Sequence, residues 1–354
     1  MKVLIIPDSF KGTLSSNQVC DAIEEGLIEA GGNLEIQKLA FSDGGEGFCD
    51  SFAEFCKGEM LYTNASDIFG RQKKCKYFTF DNTAVIECAQ ASGLKRKKDV
   101  MNADSYGTGE MIKHAVSKGF RNIILALGGS GCCDGGAGAL TALGAVFRNI
   151  EGDKIEYPKG CDLQNIYGAS FRNIVKGINF TFACDVDNTY FGKNGAAYVC
   201  APQKGANKEQ VKVLDEGLKM LNAFLPNDIS RVKGAGAAGG ICGGLYSVYG
   251  GEIKSGFDVL ATACELEKKI DEADLVVTGE GKTDSQTLMG KLPYRISKLC
   301  KEHGKECVLI SGSIDNVKIC DRQISLVDKQ TSADKAMKDA YKTLRDKSKN
   351  ILQL

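Results

Sequence analysis

Eleven residues constrain this chain more than any others: Gly128 to Gly138, reading GGSGCCDGGAG. They follow the apolar run Ile123 to Leu127 and precede Ala139 to Leu143. That order predicts a buried strand, a glycine loop and then a helix. Six glycines in eleven residues cost much backbone entropy. A chain tolerates that where its backbone turns sharply or comes close to something else. Amides at a helix N-terminus favour anions, phosphate above all. Asp134 adds a carboxylate that can hold a metal or take a proton.

Three more loops share this character. Asp43-Gly-Gly-Glu46-Gly47 follows the strand-like Leu34 to Phe41, and Gly234 to Gly240 opens a second small-residue stretch. Gly279-Glu280-Gly281-Lys282-Thr283-Asp284 follows Leu275 to Val277. Acid-bearing loops at strand ends are what a phosphate or metal site in an α/β protein requires.

A length of 354 residues is enough for two domains. Lys plus Arg equals Asp plus Glu at 45 each, and no basic stripe stands out, which argues against nucleic acid as a partner. The 15 cysteines include no Cys-x-x-Cys pair, and only His114 and His303 could add imidazole, so zinc-type spacing is missing. The odd count predicts reduced thiols and a cytoplasmic protein. Val3 to Ile6 before Pro7 reads as a first strand rather than a leader, and no apolar run approaches membrane-spanning length.

Along the chain, Val3–Ile6 predicts a strand, Ser15–Leu27 a capped helix and Leu34–Leu39 a second strand. Tyr77–Phe80 and Ala84–Ile86 flank Asp81-Asn82 as a β-hairpin. Phe180–Ala183 predicts a strand and Lys208–Phe224 a helix. Strand–helix alternation returns with Leu275–Val277, Tyr294–His303, Val308–Ile310 and Ile324–Val327. The last twenty residues predict one amphipathic helix. The expected architecture is α/β in two domains. Residues 1–62 plus 256–354 form a Rossmann/flavodoxin-like parallel-sheet domain. A mixed α/β domain, 63–255, is inserted and carries the main glycine loop.

Gly281-Lys282-Thr283 ends like a phosphate-binding P-loop, but Val276 stands where its first glycine belongs. No protein-kinase motif set appears. Pro7 to Gly12 lacks the glycines of a dinucleotide fingerprint. PDSFKGTLS from Pro7, DGGEG from Asp43, YGTGE from Tyr106 and LGGSGCCDGGAGAL from Leu127 form one half of a different pattern. ACDVDN from Ala183, APQKGA from Ala201, GAGAAGG from Gly234 and TGEGKTDSQTLMGK from Thr278 form the other half. These eight collinear blocks closely resemble the bacterial type-I glycerate kinase family. The resemblance implies ATP-dependent phosphorylation of D-glycerate with Mg2+, giving 2-phosphoglycerate, with 3-phosphoglycerate the other isomer. It also implies an active site between two α/β domains, in a monomer or homodimer that engages no nucleic acid or membrane.

Phosphoryl transfer needs cations on the phosphates, carboxylates for magnesium and a base beside the attacking hydroxyl. The expected roles follow. Asp185 or Asp187 is the base, Lys11 and Lys291 neutralise phosphate or the glycerate carboxylate, and Asp8 or Asp134 holds magnesium. Gly129, Ser130, Gly131 and the amides after them cradle phosphate. Asp43, Glu46, Lys204, Glu280 and Asp284 complete the substrate and phosphate contacts. Relatives often carry Thr-Asn where Cys132-Cys133 stand here, which bears on ligand affinity if those side chains face the ligand. The alternatives are a kinase of another small hydroxy-acid and a catalytically silent sensor of small acids or nucleotides.

Overall fold

The computed structural model describes residues 1–41 and 47–352. Two expected substrate contacts, Asp43 and Glu46, lie outside the described residues. The chain divides into two compact units, Met1–Ser42 with Leu260–Leu354, and Asp43–Val259. The first boundary thus falls about twenty residues before the expected 62/63. The reason is strand Glu59–Ser66, which pairs antiparallel with Gln72–Phe80 along its whole length and so belongs to the second unit.

The first unit holds a five-stranded sheet in the order 322–325, 306–314, 275–283, 2–7, 35–38, every pairing parallel. In chain order within the unit this is 2-1-3-4-5, the flavodoxin-like arrangement. Strand Lys2–Pro7 is buried from Val3 onward, as its continuous apolar run requires of a strand covered on both faces. Helix Ser16–Ala30 starts at a capping box, Ser15 with Gln18, and buries Val19, Ile23 and Leu27. Gly26 on that helix touches the C-terminal helix. A Cβ there would lie 2.2 Å from the Arg345 carbonyl oxygen, so only glycine permits the approach. The C-terminal segment is two helices, Ala333–Lys338 and Ala340–Ser348, rather than one. Asp339 (φ −112°, ψ 38°) leaves helical geometry between them.

The second unit holds a six-stranded mixed sheet in the order 252–254, 179–183, 122–126, 83–87, 72–80, 59–66. The first four are parallel and the last two form the antiparallel edge. A small three-stranded sheet, 146–148 with 154–155 and 168–170, lies apart from it. Helix Lys208–Phe224 has the predicted bounds, because Asn207 and Gln210 form a capping box and Val211, Leu214, Leu218 and Leu221 recur on one buried face.

Candidate active site

Each unit has a cavity at the carboxyl ends of its parallel strands, where open α/β sheets bind ligands. In the first unit the strand order reverses between 2–7 and 275–283. A cavity of about 350 Å³ opens there, with Asp8 to Lys11 after one strand and Glu280 to Lys282 on the other. Lys291, Gly312 and Ser313 complete its polar end, and Leu326, Ala336 and Met337 form an apolar wall.

Glu280 is only 4 % exposed. It accepts hydrogen bonds from the hydroxyls of Thr283 (3.0 Å) and Thr287 (2.6 Å), and Lys291 Nζ lies 3.8 Å away. Burial pushes its carboxyl above the ordinary value, against the pull of those hydroxyls and of Lys291. Glu280 thus places a buried carboxyl beside Lys291 at the cavity. Lys282 pairs with Asp315 at 2.9 Å and approaches Asp284 at 3.7 Å. Asp284 accepts from Gln286 N at 2.9 Å and stands at the start of the 287–289 turn, outside the cavity lining. That amide contact is the ordinary use of aspartate at a turn.

In the second unit a cavity of about 450 Å³ is lined by Gly128, Gly129 and Ser130, by Cys184 to Val186 after strand 179–183, and by Lys204 and Ala238. Lys204 is 3 % exposed, and its ammonium donates to Ser130 Oγ (2.9 Å) and to the Cys132 carbonyl (2.7 Å). Asp185 lines this cavity and accepts from Gly256 N at 3.2 Å. Asp187 is exposed two residues later and is not among the lining residues.

Beyond Ser130 the loop differs from expectation. Gly131 N donates to Ser92 O, Gly135 N to Gly239 O and Ala137 N to Asp134 O. The amides of Gly131, Gly135, Gly136, Ala137 and Gly138, expected in the phosphate cradle, are thus spent on the protein itself. Asp134 is corrected in the same way. It has no exposed surface, and Oδ2 accepts from Ser105 N (2.7 Å), Ser105 Oγ (2.7 Å) and Gly138 N (3.1 Å), while Oδ1 accepts from Gly136 N (3.2 Å). Its carboxylate occupies the N-terminus of helix Ala137–Ala142, the place a phosphate was expected to take. The glycines serve close packing instead. A Cβ on Gly239 would fall 2.1 Å from the Cys132 carbonyl, and one on Gly244 2.2 Å from that of Gly135. Two small-residue segments are pressed backbone to backbone.

Cys132 and Cys133 are both fully buried, and burial raises both thiols. Their side chains pack within the core, so the departure from Thr-Asn changes packing rather than a ligand-facing group.

Ser105 and Asp104 carried no expectation. Both precede helix Tyr106–Ser117, and the signal was the Asp-Ser pair that commonly opens a helix. Asp104 is 4 % exposed, and burial, then the neighbouring Asp134, pushes its carboxyl up to about 7. The folded state thus holds a proton that the unfolded chain releases near pH 4. Stability contributed by this group is complete below about pH 4 and is lost as pH rises toward 7. Asp104→Asn keeps an acceptor for Tyr106 N, which donates to Oδ1 at 2.9 Å. The variant is expected to melt higher than wild type at pH 8 and alike at pH 4.5. Equal melting at both values would remove Asp104 as the source of pH dependence.

Among the described residues no three His, Cys, Asp or Glu side chains gather into a metal cage. Magnesium does not require one, since it keeps waters and takes one or two carboxylates beside substrate phosphates. Asp8, at the mouth of the first cavity with Lys11 and Lys291, fits that donor set; Asp134 does not.

The glycerate kinase family model matches residues 3–354. A glycerate kinase of Bacillus cereus is 37% identical over 99% of this chain and 97% of its own length. The glycerate 2-kinase of Escherichia coli is 35% identical, with the same coverage. The crystal structure of a Salmonella typhimurium LT2 protein described as a glycerate kinase 2 superposes with a TM-score of 0.87 at 34% identity, covering 99% of this chain and 97% of that one. A family match from residue 3 to 354, with relatives of more than a third identity along the whole chain, shows that the chain belongs to the glycerate kinase family.

Proposed function

We propose that the protein transfers the γ-phosphoryl group of ATP to a hydroxyl of D-glycerate, giving 2-phosphoglycerate and ADP. The observation that carries this reading is the chain-long similarity to glycerate kinases, one of them a glycerate 2-kinase. The cavities support it. Lys11 and Lys291 neutralise anionic oxygens, and Glu280 lies beside Lys291. Gly129, Ser130 and Lys204 present backbone, hydroxyl and ammonium to the second cavity. Asp185 takes the proton of the attacking glycerate hydroxyl. Magnesium, held through Asp8, supplies charge neutralisation on the phosphates when bound. No disulfide joins cysteines among the described residues, which suits a cytoplasmic protein.

No helix among the described residues is long and apolar enough to cross a membrane. The deciding assay is ADP release with ATP, magnesium and D-glycerate, against L-glycerate and no-acid controls, with the product resolved by phosphorus NMR. D-Glycerate-dependent ADP and a single 2-phosphate product are expected. ADP release with another hydroxy-acid but not glycerate would point to a different acceptor. Binding without ADP release would point to a sensor.

A further inference from the structure

The first unit carries a second chemical feature on the far side of its sheet order from the 2–7 strand. The Sγ atoms of Cys307 and Cys320 lie 3.5 Å apart. Cys307 opens strand Glu306–Ile314, and Cys320 stands just before strand Arg322–Ser325. The register sets Val308 beside Arg322, so both thiols sit at the same end of two adjacent parallel strands.

Both cysteines line a cavity of about 570 Å³ together with Lys301, Lys305, Lys318 and Arg322. Its two carboxylates are already paired: Asp321 is 3.7 Å from Lys318, and Glu306 is hydrogen-bonded to Arg322. The rim therefore keeps a positive excess from Lys301 and Lys305. Hydrogen bonds with Cys307 and Ser297 hold the Cys320 thiol below its ordinary value, which favours the nucleophilic thiolate. None of these groups belongs to the cavities assigned to the kinase reaction.

We propose that Cys307 and Cys320 form a redox site, oxidised reversibly by low-molecular-weight disulfides that carry carboxylates. The thiolate of Cys320 attacks one sulfur of the small disulfide. The reagent's sulfur–sulfur bond breaks, a mixed disulfide forms on Cys320 and one small thiolate leaves. Cys307 then gives up its proton and attacks Sγ of Cys320. The Cys307–Cys320 bond forms and the second small thiolate leaves. Two protein thiols are oxidised by two electrons, the reagent is reduced to two thiols, and the two protons end on those products. The lysine rim draws an anionic reagent to the cavity.

The test treats the folded protein with oxidised glutathione, which is anionic, and in parallel with cystamine, which is cationic. Intact mass and peptide mapping after thiol blocking are the readouts. Wild type is expected to lose two hydrogens through a Cys307–Cys320 link that dithiothreitol reverses. Cys307→Ser is expected to stop at a mixed disulfide on Cys320, and Cys320→Ser to form neither species. Oxidised glutathione is expected to react about tenfold faster than cystamine, the advantage shrinking at high salt. A bridge from Cys307 to Cys300, its other hydrogen-bonded thiol neighbour, or modification first at other cysteines, overturns the assigned pair. Equal rates for the two reagents overturn the anionic preference. Wild type that stays reduced while the urea-unfolded chain oxidises overturns the site, and that control does not depend on how either variant folds.

Discussion

Asp185→Asn is expected to cut turnover by about 10²–10⁴-fold while leaving the fold intact, the usual cost of losing a general base. Asp185 lines the second-unit cavity with Ser130 and Lys204 and is oriented by Gly256 N. Asparagine keeps the shape and an acceptor for that amide, but cannot take a proton from the glycerate hydroxyl. Asp187→Asn, outside the cavity lining, is expected to turn over at close to the wild-type rate. Both variants are checked by steady-state kinetics with D-glycerate and by thermal melting. The split matters as much as the size of either loss. If Asp187→Asn proves the damaging change and Asp185→Asn does not, the base is Asp187 and the cavity geometry misleads. If melting falls together with turnover in Asp185→Asn, the residue acts through the fold of its loop.

Local chemistry explains why some of this was legible in sequence and some was not. Lys208–Phe224 could be bounded because its cap and its apolar period are written within seventeen residues. The strands of the parallel sheet show as short apolar runs, and their alternation with helices shows the fold class. The expected 62/63 boundary cuts through strand Glu59–Ser66 because nothing in Glu59 to Tyr62 reveals its partner; pairing with Gln72–Phe80 decides it. The set of cavity lysines was readable as cations beside glycines, but the buried setting of Glu280 beside Lys291, with Thr283 and Thr287 donating to its other oxygen, depends on the path of the chain after the strand. Choosing between Asp185 and Asp187 needs the path of a turn, which two exposed aspartates two residues apart do not encode. Cys307 and Cys320 meet only through the register of two strands. The glycine loop is the most instructive case. GGSGCCDGGAG has the same composition whether its amides face a phosphate or its own aspartate. The group that decides, Ser105, lies 29 residues upstream.

That loop gives the largest expected effect on stability. Asp134→Ala leaves the amides of Ser105, Gly136 and Gly138 and the Ser105 hydroxyl without their shared acceptor, in a place water does not reach. Each buried donor left unpaired costs about 1–3 kcal/mol. Removing a buried carboxylate relieves its own desolvation, which offsets part of the sum. The net loss is expected at roughly 3–5 kcal/mol, the size of effect that breaking a buried hydrogen-bond network produces. Asp134→Asn is the informative companion. With its oxygen in the Oδ2 position it still accepts from Ser105 and Gly138, but its amide then meets the Gly136 N–H donor to donor. Its loss is expected to fall between wild type and alanine. Urea unfolding of all three proteins checks this, read as a shift of midpoint at unchanged slope. The role first expected for Asp134, magnesium binding, makes the opposite forecast: little change in midpoint for either variant and a raised magnesium requirement for turnover. A midpoint for Asp134→Ala within about 1 kcal/mol of wild type would return the residue to that role. A large loss with an ordered series of Asp, Asn and Ala would instead mean that this glycine loop is held shut by its own aspartate, leaving Gly129, Ser130 and Lys204 as the part that faces a ligand.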